Sequence, residues 1–100
     1  MQVRLVLSRY YHNDSRGVMA VDLSGMRKLY KDGALQAAIA APAPMERGAW
    51  VLTVVRTDGS WEYMTIARST RHKIYKSLDA VQADAAKVGF EEVKVRTQVA

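Results

Sequence analysis

The sequence contains no cysteine. Disulfide bonds, thiolate metal sites and cysteine nucleophiles are therefore excluded. It also has no long uninterrupted apolar run, whereas a bilayer-spanning helix needs about 20 apolar residues. Residues 1–10 alternate polar and apolar positions, which is not the pattern of a signal peptide. From these absences we expect a cytoplasmic protein without a membrane segment.

Residue types that carry chemistry are scarce as well. The six glycines are scattered and have no spacing typical of a phosphate-binding loop. His12 and His72 are the only histidines, and neither has a second histidine at the spacing of metal ligands. No nucleophile-elbow motif surrounds a serine. We therefore expect no cofactor, no metal and no enzymatic activity.

Positive charge is in excess. The chain has 15 Lys and Arg residues against 10 Asp and Glu residues, a net charge of +5. A basic surplus favours polyanionic partners, because cations neutralise phosphates and release their counterions. Hydrophobic residues make up 49% of the sequence, which is enough for a packed core. A single domain over residues 1–100 is expected.

The first half of the chain predicts a hairpin and then an ambiguous segment. Residues 3–10 and 18–23 have strand patterning on either side of a turn cluster. Residues 26–41 predict either one helix capped by Ser24, or a short strand and then a helix that begins near Asp32. In both interpretations the alanine-rich end of the segment is helical, and the prolines of a connector over residues 42–49 stop it.

The second half predicts a second hairpin. Residues 50–56 and 61–67 are β-rich, and Asp58-Gly59 between them favours a two-residue turn. This turn would put Val54 opposite Tyr63. One face of the hairpin would then carry Trp50, Leu52, Val54, Arg56, Trp61, Tyr63 and Thr65. Both faces are apolar, so we expect the hairpin to be covered on both sides or to offer one face to a partner.

A helix and a last strand complete the prediction. Residues 71–76 are a candidate third strand. Ser77 is a suitable N-cap for a helix with apolar residues at helical spacing, and Gly89 is a suitable stop. Residues 92–99 alternate and predict a final strand.

The two halves resemble each other. A shift of 45 positions places residues 5–31 over residues 50–76 with eight identical pairs, among them Lys28/Lys73, Tyr30/Tyr75 and Lys31/Lys76. We interpret this as an internal duplication of residues 5–41 and 50–87. The predicted fold is α+β: two tandem β-hairpin–(strand)–helix units forming an antiparallel sheet packed against two helices, with a C-terminal strand. The match also suggests that residues 27–31 and 72–76 are both extended.

Basic residues beside aromatic residues are the most suggestive functional feature. The candidate nucleic-acid-binding residues are Arg27, Lys28, Lys31, Arg56, Arg68, Arg71, Lys73 and Lys76. Trp50, Trp61 and Tyr63, expected on one face, form either a surface on which bases stack or an interface with a second copy or another protein. Two tryptophans on a hairpin are more often part of a core or a dimer contact than a base-stacking surface.

Part of the sequence resembles a known group. Residues 72–80, with the basic run and the Ser-Leu-Asp-Ala helix start, followed by residues 88–90 and 93–95, are similar to the C-terminal part of short accessory proteins of bacterial plasmids and integrative elements. Those proteins are usually labelled partition- or replication-associated. The resemblance covers about a quarter of the chain, and it implies work on DNA in a mobile element.

Our first hypothesis is a nucleic-acid-associated accessory protein of a mobile element or phage that binds phosphates through basic strands. The alternative is a protein-interaction module without catalysis, either a dimerisation domain or a small inhibitor of a nucleoprotein complex, anchored on Trp50, Trp61 and Tyr63.

Overall fold

The computed structural model describes residues 4–8, 19–44, 46–67 and 69–96. Within them, the elements in chain order are β1 (Arg4–Ser8), β2 (Met19–Val21), α1 (Leu23–Lys31), β3 (Leu35–Pro42), β4 (Trp50–Arg56), β5 (Trp61–Met64), α2 (Leu78–Val88) and β6 (Glu92–Arg96). The predicted α+β class is confirmed.

The strands form one mixed sheet in the order β1-β6-β3-β4-β5-β2. The pairs β1–β6, β6–β3 and β5–β2 are parallel, whereas β3–β4 and β4–β5 are antiparallel. All described strands except β4 therefore run in the same direction. The expectation of an antiparallel sheet is wrong, because two of the connections are helical crossovers rather than tight turns.

Each helix connects two strands that run in the same direction and lie three places apart in the sheet. α1 leads from the edge strand β2 to β3, and α2 leads from β5 to β6. Both crossovers move in the same direction across the sheet, so crossovers of one hand bring both helices to the same face. The helices contact each other there. We call β2-α1-β3 the first unit and β5-α2-β6 the second unit.

The main core lies between the helices and the central strands. It is built from Met26 of α1, residues of α2 including Val81 and Ala85, and small or branched side chains of the sheet. The sheet residues of this core are Ala38, Ala40, Leu52, Val54, Met64 and Val93. The other face of β3 and β4 is apolar as well, and Ile39 there is 0% exposed.

The ambiguous segment is resolved in neither of the predicted ways. Asp22, rather than Ser24, caps α1, since its carboxylate accepts a hydrogen bond of 2.9 Å from the N–H of Gly25. The alanine-rich residues expected to be helical form β3, a central strand whose residues 37–41 are all buried. Helix propensity is worth only tenths of a kcal/mol per residue, so pairing with strands on both sides outweighs it.

The second hairpin is confirmed, but its register is not. Thr53 lies opposite Tyr63 and Val55 opposite Trp61, whereas the prediction paired Val54 with Tyr63. The loop is one residue longer than expected: the N–H of Arg56 donates to the carbonyl of Ser60, and Gly59 has a φ of 89°. A three-residue loop that ends on a left-handed glycine is a common hairpin type. A shift of one residue moves β5 side chains to the opposite face.

The remaining predictions for the second half hold in large part. The Ser77 hydroxyl accepts a hydrogen bond of 3.2 Å from the N–H of Ala80, which confirms the N-cap of α2, and Gly89 is its C-cap. β6 confirms the final strand as far as Arg96; residues 97–99 lie outside the described residues. Instead of a full third strand, residues 71–76 make isolated bridges, His72 to Thr65 and Tyr75 to Trp50.

The predicted first hairpin is wrong. β1 and β2 lie at opposite edges of the sheet, and each pairs in parallel with a strand from the second half of the chain. The 45-residue shift places α1 over residues 68–76, which contain no helix in their described part. Residues 27–31 are therefore helical rather than extended. The duplication of residues 5–41 and 50–87 stays a prediction: β1 and β4 are matched strands, but α1 and β3 do not share a structure with the residues matched to them.

Candidate nucleic-acid interface

Three of the candidate cations lie together on α1. Arg27, Lys28 and Lys31 are exposed, because Met26 turns the opposite side of this short helix into the core. Lys28 and Lys31 occupy the last turn, where positive charge interacts favourably with the helix dipole. Within the described residues, no carboxylate forms an ion pair with any of the three. Their charges are available to a ligand.

Three other candidate cations are bound to carboxylates of the same chain. Arg56 lies 3.1 Å from Glu62, and Lys73 lies 2.7 Å from Asp84. Lys76 pairs with Glu46, which belongs to the connector between β3 and β4. Partnered cations offer less charge to phosphates than free ones. The structure therefore separates residues that the sequence repeat made equivalent.

The last two candidates lie between β5 and α2. Arg71 is exposed, and its backbone N–H donates a hydrogen bond of 3.0 Å to the Ser69 hydroxyl. Arg68 lies outside the described residues. The candidate cations expected on basic strands thus fall into three groups among the described residues. Three lie on the helix α1, three form ion pairs with carboxylates, and Arg71 is exposed.

A buried polar network fastens residues 73–75 to α2. Asp84 is 5% exposed and accepts hydrogen bonds of 2.7 Å from both Lys73 and the Tyr75 hydroxyl, and Lys87 lies 3.8 Å from its other oxygen. Lys73 also lies 5.4 Å from the centre of the Tyr75 ring. Each buried polar group therefore has a partner, which makes the cluster a structural element.

The charges of this network depend on one another. Burial by itself would raise the pKa of Asp84, but hydrogen bonds from Lys73 and Tyr75 and the charges of Lys73 and Lys87 outweigh it, so the pKa lies below that of ordinary aspartate. Burial, with the hydrogen bond and the charge of Asp84, raises the pKa of Tyr75. Asp84 is therefore ionised and Tyr75 neutral at neutral pH.

A second carboxylate is buried on β5. Glu62 is 2% exposed, and its Oε1 accepts a hydrogen bond from Arg56. Its Oε2 is buried without a hydrogen-bond partner. Removing the only partner of a buried carboxylate strongly destabilises a fold. Arg56 therefore has a structural role.

The three aromatic residues expected on one face do not share it. Trp50 is half-buried and packs against the core under the helices. Trp61 is 7% exposed and lies on the opposite face with Ile39 and Val55. Tyr63 is half-buried on that opposite face as well, because it lies across from Thr53. The shifted register is the cause.

Tyr63 instead forms a stack with His72. The two rings are nearly parallel, at 5°, with centres 3.8 Å apart, and the Tyr63 hydroxyl donates a hydrogen bond of 3.0 Å to the carbonyl of Thr70. Burial lowers the pKa of His72, although the residue is exposed overall. The pairing of these rings had no signal in the sequence, because nine positions separate them and only the turn between them brings them together.

A cleft next to α1 also escaped the sequence prediction. It has a volume of about 390 Å³ and lies near the start of β3 and β6, with Tyr30 of α1 and Phe90 at one side. Its polar lining comes from Gln36, Glu91, Glu92 and Lys94. Tyr30 next to Lys31 was visible in the sequence as an aromatic residue within a basic run, but most of its neighbours in the cleft come from residues 90–94, far along the chain.

Among the described residues, no group of three or more histidine or acidic side chains is placed to hold a metal ion. Neither α1 nor α2 has the length and apolarity needed to cross a membrane. The chain matches no protein-family model, and it has no significant match among curated proteins or solved structures.

Proposed function

We propose that this protein binds nucleic acid and that Arg27, Lys28 and Lys31 of α1 contact the phosphates. The observation that carries the proposal is that these three cations are exposed on one helix and have no carboxylate partner within the described residues. Phosphate contacts supply most sequence-independent affinity, and unpaired lysine and arginine side chains are the groups that make them. The net charge of +5 acts in the same direction.

The proposal moves the contact from the basic strands to the basic helix. Lys73 and Arg56 stabilise buried carboxylates, so their charges are less available. Work in a plasmid, integrative element or phage rests on the resemblance of residues 72–95 and remains part of the proposal. A protein-interaction role anchored jointly on Trp50, Trp61 and Tyr63 has less support, because Trp50 and Trp61 lie on opposite faces of the sheet.

A charge-matched pair of variants tests the proposal. The α1 variant changes Arg27, Lys28 and Lys31 to Gln, which preserves helix propensity. The control changes the exposed cations Arg47, Lys76 and Lys87 to Gln and removes the same charge elsewhere. Binding to a fluorescent DNA single strand of about 20 nucleotides is measured by anisotropy between about 50 and 200 mM salt.

The α1 variant should bind more weakly than the control, and the slope of log K against log salt should fall by about 2, because three phosphate contacts to a single strand contribute about 0.7 each. The control should lose little of the slope. Equal losses in both variants would mean that net charge alone attracts the strand, and wild-type binding by the α1 variant would overturn the proposal.

A further inference from the structure

The cleft beside α1 lies where two parallel strands separate. β3 and β6 pair from Ala38 and Val93 onward, and β3 has a bulge between Leu35 and Ala37. Before these positions the two strands are not paired, and a cleft of about 390 Å³ is lined there by residues near the starts of both strands and by Tyr30 of α1. This volume is within the range of pockets for small ligands, about 300–1,000 Å³.

One wall of the cleft is an aromatic ring held in place from two sides. Tyr30 contacts Phe90 edge to face, with ring centres 5.0 Å apart and an angle of 72°. Gly89 lies so close that a Cβ there would come within 2.6 Å of the Tyr30 ring. Tyr30 is nevertheless 38% exposed, so part of a fixed aromatic surface remains free for a ligand.

Hydrogen-bonding side chains line the same cleft as this ring. Gln36 and Glu91 are both exposed, and both line the cleft. Glu92 and Lys94 also line it, but each already interacts within the chain. An amide and a free carboxylate next to an aromatic ring suit a flat, polar ligand that carries amino groups. The carboxylate repels phosphate, so the phosphate of a nucleotide would point away from the cleft.

The free cation Lys31 directly follows the cleft residue Tyr30 on α1. Met26 and Tyr30 share one stripe of the helix, and Arg27 and Lys31 form the adjacent stripe, one position further along the chain. A nucleotide whose base enters the cleft would therefore have its phosphate next to Arg27 and Lys31. Aromatic stacking together with hydrogen bonds to the base edge is how proteins recognise unpaired bases.

We propose that the cleft receives an unpaired base with an exocyclic amino group, from a single-stranded nucleic acid whose phosphates lie on the cations of α1. The base stacks on Tyr30, and Glu91 and Gln36 accept hydrogen bonds from its amino group. This inference rests on the proposed function and names its substrate class: single strands rather than duplexes, and bases with an exocyclic amino group (adenine, cytosine and guanine) rather than thymine.

Two variants test the cleft, with labelled homopolymers of deoxyadenosine, deoxycytidine and thymidine and a duplex as probes. Tyr30→Leu should weaken binding to adenine and cytosine strands about tenfold and leave duplex binding unchanged. Glu91→Leu should weaken binding to the same strands about threefold and leave thymidine strands unaffected or bound more tightly. The charge-matched control is Asp79→Leu, at an exposed position of α2.

The direction in which Glu91→Leu changes binding distinguishes a base contact from a general charge effect. Removing a negative charge by itself strengthens binding to every strand, as expected for Asp79→Leu, whereas the loss of a base contact weakens binding to adenine and cytosine strands only. Glu91 is exposed, so this variant keeps the test valid even if Tyr30→Leu unfolds. Equal binding of all probes by Glu91→Leu and Asp79→Leu would overturn the cleft inference and leave the α1 proposal intact. Wild-type binding by the α1 variant would overturn the α1 proposal itself.

Discussion

The two strand–helix–strand units have the same topology but use charge differently. In the first unit, β2-α1-β3, Asp32 is exposed and Asp22 is half-buried at the helix cap, and the cations of α1 have no partners among the described residues. In the second unit, β5-α2-β6, Glu62 and Asp84 are buried, and each is paired with a cation.

The difference shows what determines whether a basic residue is available. A buried carboxylate requires a positive partner, since burying an unpaired charge is costly. The second unit therefore binds Arg56 and Lys73 to its own carboxylates, and Lys87 lies beside one of them. The first unit buries no carboxylate among its described residues, which leaves α1 basic on its outer side. The same residue type thus has a structural role in one unit and a proposed binding role in the other.

The largest effect should follow from removing the partner of Glu62. Arg56→Met leaves a buried carboxylate unpaired, so the free energy of unfolding should fall by about 3–5 kcal/mol in urea titrations. Lys28→Met, at an unpaired cation of the first unit, should change it by less than about 0.5 kcal/mol. The double variant Arg56→Met, Glu62→Met should recover most of the loss. A double variant as unstable as Arg56→Met would show that the ion pair is not what matters.

Removing the acceptor of the second unit should cost somewhat less. Asp84→Ala leaves the buried Tyr75 hydroxyl without its acceptor and frees Lys73, so the free energy of unfolding should fall by about 2–3 kcal/mol. Asp32→Ala, at the C-cap of α1, should be nearly neutral because the residue is exposed and a negative charge there opposes the helix dipole. Similar costs for both substitutions would contradict the contrast between the units.

The next largest difference should be between the stability costs of replacing the glycines that follow the two helices. Gly89 has a φ of 130° and lies against Tyr30, so Gly89→Ala should cost about 2 kcal/mol in thermal unfolding. Gly33 has a φ of 75° and open space around the position of a Cβ, so Gly33→Ala should cost about 1 kcal/mol. Equal costs would mean that the contact with Tyr30 contributes nothing.

The smallest effect should be a pH dependence from His72 in the second unit. Its pKa is lowered by burial, so the unfolded chain binds the proton at higher pH than the folded chain. Stability from this residue is present above the ordinary histidine pKa of 6.5 and is lost as the pH falls. Because the residue is exposed overall, His72→Gln should reduce the loss of stability between about pH 7 and 5 by no more than about 0.5 kcal/mol. An unchanged pH profile of stability in His72→Gln would show that His72 does not contribute to the pH dependence.

Local signals predicted the elements that depend on nearby residues. The Ser77 cap, the Gly89 stop and the turn at Asp58-Gly59 lie within a few positions of the groups they bond, and α2 and the β4–β5 hairpin form as expected. The length of the turn was wrong by one residue. That difference was enough to move Trp61 and Tyr63 to the other face, because strand side chains alternate.

Elements that depend on distant residues were predicted poorly. Residues 35–42 have helical propensity, and nothing within them shows that β6 and β4 will pair on both sides. Gly33 and Pro42 bound a short apolar run that is equally typical of a buried strand, and this was the available signal. β1 and β2 similarly had local strand patterning but no local sign of their parallel partners.

By itself, the sequence determined the α+β class, the basic charge, the capped helix α2 and the existence of the second hairpin, since each follows from composition or from contacts between near neighbours. Only the tertiary structure decided which strands pair, which face each aromatic residue occupies and which cations remain free. Pairing across long stretches of chain is chosen by the burial of the whole core, and a lysine is free or bound according to whether the fold buries a carboxylate beside it. Arg27, Lys28 and Lys31 stand out because all three are exposed, have no carboxylate partner among the described residues and lie on one helix.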